Sequence, residues 1–75
     1  MVSLDQLTDG ASGRLVSIGG DRSFRRRLME LGLLPGTPVR VVRRTPVGGV
    51  IELEVRRSRL SLRLAEADRL FVAAD

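Results

Sequence analysis

Residues 24–36, FRRRLMELGLLPG, encode a short helix, its stop, a turn and the entry to a strand. With about 100° of rotation per helical residue, Phe24, Leu28 and Leu31 fall in one narrow arc, and Arg26 and Glu30 lie opposite it. One face is therefore expected to pack and the other to stay wet. Gly32 follows the last periodic residue and suits the left-handed conformation that ends helices, where a Cβ is penalised. Leu33 and Leu28 then occupy the two positions whose side chains touch in a Schellman cap, so the stop is clamped by apolar contact. Pro35-Gly36 fits the central pair of a type II turn, with proline presetting φ and glycine accepting φ > 0.

Upstream of this segment, Asp21 is placed to cap a helix running from about Arg22 to Leu31, its carboxylate accepting from free helix N–H groups. Arg14 to Ile18 alternates as a strand would, with Val16 and Ile18 on one face and Leu15 and Ser17 on the other. Ser3-Leu4-Asp5-Gln6 has the form of a capping box opening a single turn. Downstream, Thr37 to Arg44 is rich in β-branched residues, and Val42 breaks the alternation of Val39 and Val41 as a bulge would. Thr45 to Gly49 has hairpin length, and Ile51, Leu53 and Val55 then alternate cleanly with Glu52, Glu54 and Arg56. Arg57-Ser58-Arg59 reads as a tight connection to a strand carrying Leu60, Leu62 and Leu64. Ala65 to Asp68 is long enough for one helical turn, and Leu70 to Ala73 closes the chain as a short strand. The pattern is mainly β: about five short strands, with one helix after the first, curled into a small closed or nearly closed barrel.

A chain of 75 residues makes one domain, here 1–75, near the size at which a single core supplies only a few kcal/mol. The absences narrow its chemistry. Cysteine is missing, so there is no disulfide, thiolate nucleophile or cysteine metal site, and a cytosolic home is the default. All 13 Lys+Arg positions are arginine, and without lysine neither a P-loop nor a Schiff base can be built. Histidine is absent too, which removes the usual general base and the commonest transition-metal ligand. The remaining carboxylate pairs, Glu52 with Glu54 and Glu66 with Asp68, read as solvated charges before they read as a metal site. With no Trp or Tyr and only two Phe, no aromatic groove for proline-rich peptides is available. Neither a signal peptide nor a membrane-spanning apolar run is visible. The net charge of +4 points toward anionic partners, although interspersed acids also fit ordinary solvated faces in an arginine-rich composition.

Several segments together resemble the FeoA family. They are Gly10 and Gly13 ahead of a Val-x-Ile strand, Arg26-Arg27-Leu28-x-x-Leu31-Gly32-Leu33-x-Pro35-Gly36, Pro46-x-Gly48, and a Leu-Ser-Leu-Arg strand followed by Ala65-Glu66-Ala67. The resemblance covers essentially the whole chain. It implies an SH3-like β-barrel without cofactor or catalytic residues, acting as a small cytosolic accessory protein of bacterial ferrous-iron uptake. Its implied partner is the cytosolic GTP-binding portion of the large ferrous-iron permease, which would bring it to the inner face of the cytoplasmic membrane. Two loops depart from the family pattern: Gly48-Gly49-Val50 stands where Gly-Asp-Pro is frequent, and Arg57-Ser58 where Gly-Tyr is common.

Two function classes remain from the residues themselves, a protein-interaction module and a basic barrel that binds RNA through its arginines. RNA recognition calls for exposed aromatics beside the basic groups, and this sequence has none to spare. The candidate partner-binding residues are Arg25, Arg26, Arg27 and Leu34. Arg27 flanks the apolar arc, where its stem can lie on the core while its guanidinium reaches water or a carboxylate. Leu34, extended before Pro35, is expected to project away from the packed Leu33, and the family resemblance implies a near-solvent position because a polar residue is common there.

Overall fold

The computed structural model describes residues 1–75. Its elements are β1 (Val2–Ser3), a 3-10 turn (Leu4–Gln6), β2 (Ser12–Ile18), α1 (Arg22–Glu30), β3 (Pro38–Thr45), β4 (Val50–Val55), β5 (Ser58–Arg63), α2 (Leu64–Ala67) and β6 (Leu70–Ala74). All strand pairs are antiparallel and form one sheet of six strands in the order β1-β6-β2-β3-β4-β5. The sheet curls around a single cluster of 16 buried apolar residues. The sixth strand is the two-residue β1, too short to announce itself by alternation.

The helix stop forms as its sequence dictates. Asp21 Oδ1 accepts from the Phe24 N–H at 2.8 Å, and α1 buries Phe24 and Leu28. At the other end, the Leu33 N–H donates to the Leu28 carbonyl at 3.0 Å and the Gly32 N–H to the Met29 carbonyl at 3.0 Å, with Gly32 at φ +97°. These are the paired bonds of a Schellman cap. Leu28 and Leu33 are both fully buried. The Thr37 N–H then bonds the Leu34 carbonyl at 3.0 Å with Gly36 at φ +90°, as a type II turn requires.

Four expectations are corrected. Leu31 is 55% exposed: it keeps its place on the arc as the C-terminal cap of α1, but there it borders an open groove facing Ser61, Leu62 and Arg63 instead of the closed core. In β2 a register shift between Leu15 and Ser17 turns Val16 outward, so that Leu15 and Ile18 share the core. A bulge defeats strict alternation there. Ser3 makes no capping bond to the backbone; its hydroxyl donates to the Asp5 carboxylate instead. The β4–β5 connection is Arg56-Arg57 alone, since Val55 and Ser58 already pair. The bulge at Val42 does form, between Val41 and Arg43.

Arg56 is the one residue other than glycine with positive φ, at 59°. Only the first central residue of this two-residue hairpin is left-handed, the pattern of a turn that favours glycine there.

Gly32→Ala meets no steric neighbour, so its cost is backbone strain alone, about 1 kcal/mol. Leu28→Ala should cost about 2–5 kcal/mol. Arg56→Gly should stabilise by up to about 1 kcal/mol, the relief of strain exceeding the added freedom of the unfolded chain. Denaturant melts check all three, and unchanged midpoints for Gly32→Ala and Leu28→Ala would contradict the cap.

Candidate functional site

The four candidate residues take three different positions. Arg25 and Arg26 lie on the outer face of α1, where Arg22, Met29 and Glu30 join them around a shallow depression. Arg25 Nη1 donates to the Gly20 carbonyl at 3.3 Å, and Arg26 Nε stands 3.8 Å from Glu30 in a largely solvated pair. Such a pair is screened and weak, so both guanidinium groups remain available to a partner. Met29 is 40% exposed among them. Its i, i+3, i+4, i+7 spacing from Arg22 through Arg25 and Arg26 is the sequence signal for this second face, opposite the packed arc of α1.

Arg27 turns away from this face. Its Nη2 donates to Glu66 Oε2 of α2 at 2.7 Å, and its guanidinium carbon stands 5.6 Å from the centre of the Phe24 ring. Arg69 approaches that ring as well, at 5.2 Å. Arg27 therefore ties α1 to α2 through a carboxylate that is itself largely shielded. Burial pushes the Glu66 carboxyl upward. The opposing hydrogen bonds from the Arg27 side chain and the Arg63 backbone, with the charges of both arginines, outweigh it and hold Glu66 below the ordinary carboxylate value.

Leu34 lies past the cap, 44% exposed in the turn before Pro35. The turn is braced from both sides: Arg14 Nη1 donates to the Gly36 carbonyl at 3.0 Å, and the Gly36 N–H to the Leu15 carbonyl at 2.7 Å. Leu31 is the second exposed leucine of the segment, counted in the core by its periodicity. Of the carboxylate pairs, Glu52 is within 3.7 Å of Arg59 and 3.5 Å of Arg43, Glu54 within 3.1 Å of Arg40, and Glu66 bonds Arg27. Arginine holds all three. No three acidic side chains converge as a metal site would require.

The fold has close counterparts. The family model for the FeoA domain matches residues 2–74. The chain belongs to the FeoA family. A FeoA protein from Chlorobium tepidum superposes with a TM-score of 0.90 at 33% identity, over 97% of this chain and 70% of that one. A Stenotrophomonas maltophilia FeoA complexed with zinc superposes with a TM-score of 0.80 at 34% identity, over 97% of this chain and 91% of that one. That protein is described as a prokaryotic SH3-domain protein and a candidate ferrous-iron transport activating factor. The same fold makes up 41% of a manganese-dependent transcriptional repressor, with a TM-score of 0.91 at 21% identity. The SH3-like architecture is thus shared beyond the family, while the FeoA assignment rests on the family model and the more similar relatives. No helix is long and apolar enough to cross a membrane.

The Arg27–Glu66 pair stabilises by about 1 kcal/mol or less, because its guanidinium is more than half exposed. With the folded carboxyl held below 4.5, that contribution is complete above 4.5 and lost as pH falls through the lower folded value. Thermal melts of the parent and Glu66→Gln across pH check it. The gap between them should be constant near neutrality and close in acid; a gap independent of pH would show that the charge of Glu66 contributes nothing.

Proposed function

We propose that this protein is a non-enzymatic accessory module of ferrous-iron transport that binds the cytosolic GTP-binding portion of an iron permease. Family membership supports the transport context, as does the role described for the S. maltophilia relative. The observation that carries the binding surface is Leu34, an apolar side chain held in solvent by a turn whose backbone is fixed through Arg14 and Leu15. A rigid apolar projection loses little conformational freedom on binding, which is what an interface anchor needs. Arg25 and Arg26 supply long-range attraction and orientation from the outer face of α1. Arg27, engaged with Glu66, contributes by fixing α1 against α2 and thereby keeping the arginine face in place.

In this reading the protein moves no protons or electrons. It presents a shaped, positively charged surface to a partner that binds at the inner face of the membrane. The chemistry of nucleotide hydrolysis and ion passage belongs to that partner.

The test compares Leu34→Ser with the double variant Arg25→Ser, Arg26→Ser for folding and for binding to the permease's cytosolic domain over a range of salt. Leu34→Ser should fold normally and lose about 10-fold or more in affinity at every salt concentration, with the salt dependence unchanged. The arginine pair should flatten that dependence. Loss of folding in Leu34→Ser would place the residue in the core and remove it from the site. Steep salt-dependent binding of RNA by the parent would support the nucleic-acid reading instead.

A further inference from the structure

The sheet has two open edges, β1 and β5. The first is two residues long; the second is six. The phase of the β4–β5 ladder fixes which backbone groups of β5 point outward. Val55 and Ser58 bracket the two-residue loop and so form a hydrogen-bonded pair, and the pattern alternates from there to Leu53–Leu60 and Ile51–Leu62. The next pair in the series confirms the phase, since the Leu64 N–H donates to the Gly49 carbonyl at 2.8 Å. Arg59, Ser61 and Arg63 therefore aim their N–H and C=O groups away from β4. The Arg63 N–H is taken by Glu66 Oε1 at 3.3 Å. The N–H groups of Arg59 and Ser61 bond no other backbone segment.

This edge is strongly basic. Arg59 and Arg63 flank Ser61 on the outer face, and Arg56 and Arg57 form the hairpin that leads into it. Arg56, Arg57 and Arg63 have no carboxylate within ion-pair distance, while Arg59 shares Glu52 with Arg43. A groove of about 270 Å³ opens beside the edge, bounded by Ser61, Leu62 and Arg63 on one side and by Arg27 and the exposed Leu31 on the other, with Glu66 at its wall already engaged by Arg27 and the Arg63 N–H. Pairing with a second copy would set Arg59 opposite Arg63, and like charges directly across a ladder repel.

We propose that the β5 edge of this protein, with the groove beside it, receives an extended acidic segment of a partner protein as an added antiparallel or parallel strand. The outward groups of Arg59 and Ser61 supply the backbone bonds, the Arg63 carbonyl being turned into the first turn of α2, and the arginines select carboxylates at alternate positions. Leu31 gives the apolar side chains of the added strand a surface to cover. The contact is short, so its affinity is weak and its salt dependence strong. This site is separate from the Leu34 and Arg25–Arg26 surface, and its failure leaves that surface untouched.

The test titrates the intact protein with a synthetic heptapeptide of alternating Glu and Val, with its Lys and Val counterpart, and with an acidic version methylated on alternate backbone nitrogens. The readout is hydrogen exchange of individual amides. The acidic peptide should slow exchange at Arg59 and Ser61, weaken as salt rises, and bind about 10-fold less tightly when methylated. The basic peptide should not bind. Ser61→Pro removes one outward N–H at an edge position that tolerates proline, and should weaken binding by a similar factor while the fold is kept. Should that variant not fold, the methylated peptide decides alone. Binding that survives methylation, or that protects only the α1 face, overturns the proposal. So does protection of Arg59 and Ser61 by self-association or by a short RNA in place of the peptide.

Discussion

Everything in this small barrel depends on how the chain leaves its one substantial helix. The Leu33 N–H reaches back to the Leu28 carbonyl, and the two leucine side chains meet in the core with no exposed surface. Burying each contributes about 2 kcal/mol, a large share for a domain whose total stability is only about 5 kcal/mol or somewhat more. The left-handed Gly32 makes that reversal possible, and the turn at Pro35-Gly36 converts it into the start of β3. Because α1 packs through only two buried side chains, Phe24 and Leu28, its position relies on the cap at one end, on Asp21 at the other and on the Arg27–Glu66 bond at its flank.

Where local rules act alone, the sequence is a good guide. Gly32 and Gly36 accept the positive φ that the cap and the turn need, Pro35 presets its own φ and Leu33 supplies the apolar clamp, and the cap, turn and following strand form accordingly. The alternation of Ile51, Leu53 and Val55 maps directly onto the core because β4 is an inner strand with no bulge against β5. Where the sheet's curvature intervenes, local rules fail. Ile18 shares a face with Leu15 instead of Val16 because β2, paired with both β3 and β6, carries a bulge that a five-residue pattern does not reveal. Leu31 lies outside the core because the end of α1 overhangs an open groove beside β5, which helical periodicity alone does not reveal. The candidate site was legible in part: helical spacing sets Arg27 beside the apolar arc, within reach of a carboxylate that proves to be Glu66, whereas the gathering of Arg25 and Arg26 with Arg22 and Met29 needed the folded helix.

The arginines of this protein, whose net charge is +4, divide into those engaged within the fold and those that face solvent. Two arginines of β3 are answered across the ladder, Arg40 by Glu54 and Arg43 by Glu52, while Arg44 reaches Asp9 and the backbone of the 3-10 turn and Arg14 the Gly36 carbonyl. Arginines on the outer face of α1 and at the β4–β5 hairpin are answered weakly or not at all. The first set fixes register; the second leaves a field directed at solvent. The exposed leucines, Leu31 and Leu34, both lie at the helix stop, where the chain has just given its other leucines to the core. The same thirteen-residue segment thus builds the fold and presents the proposed interaction surface.

The central claim is that the cap holds α1 and its following turn as a fixed surface for the permease's cytosolic domain. Chemical-shift mapping on the isotope-labelled protein tests it most directly. Adding that domain should shift the amides of Arg25, Arg26 and Leu34 together, while those of Leu28 and Leu33 keep their slow hydrogen exchange, because the surface binds without the clamp opening. A complex that left these three amides silent, or that released the Leu33 amide to exchange freely, would contradict the account.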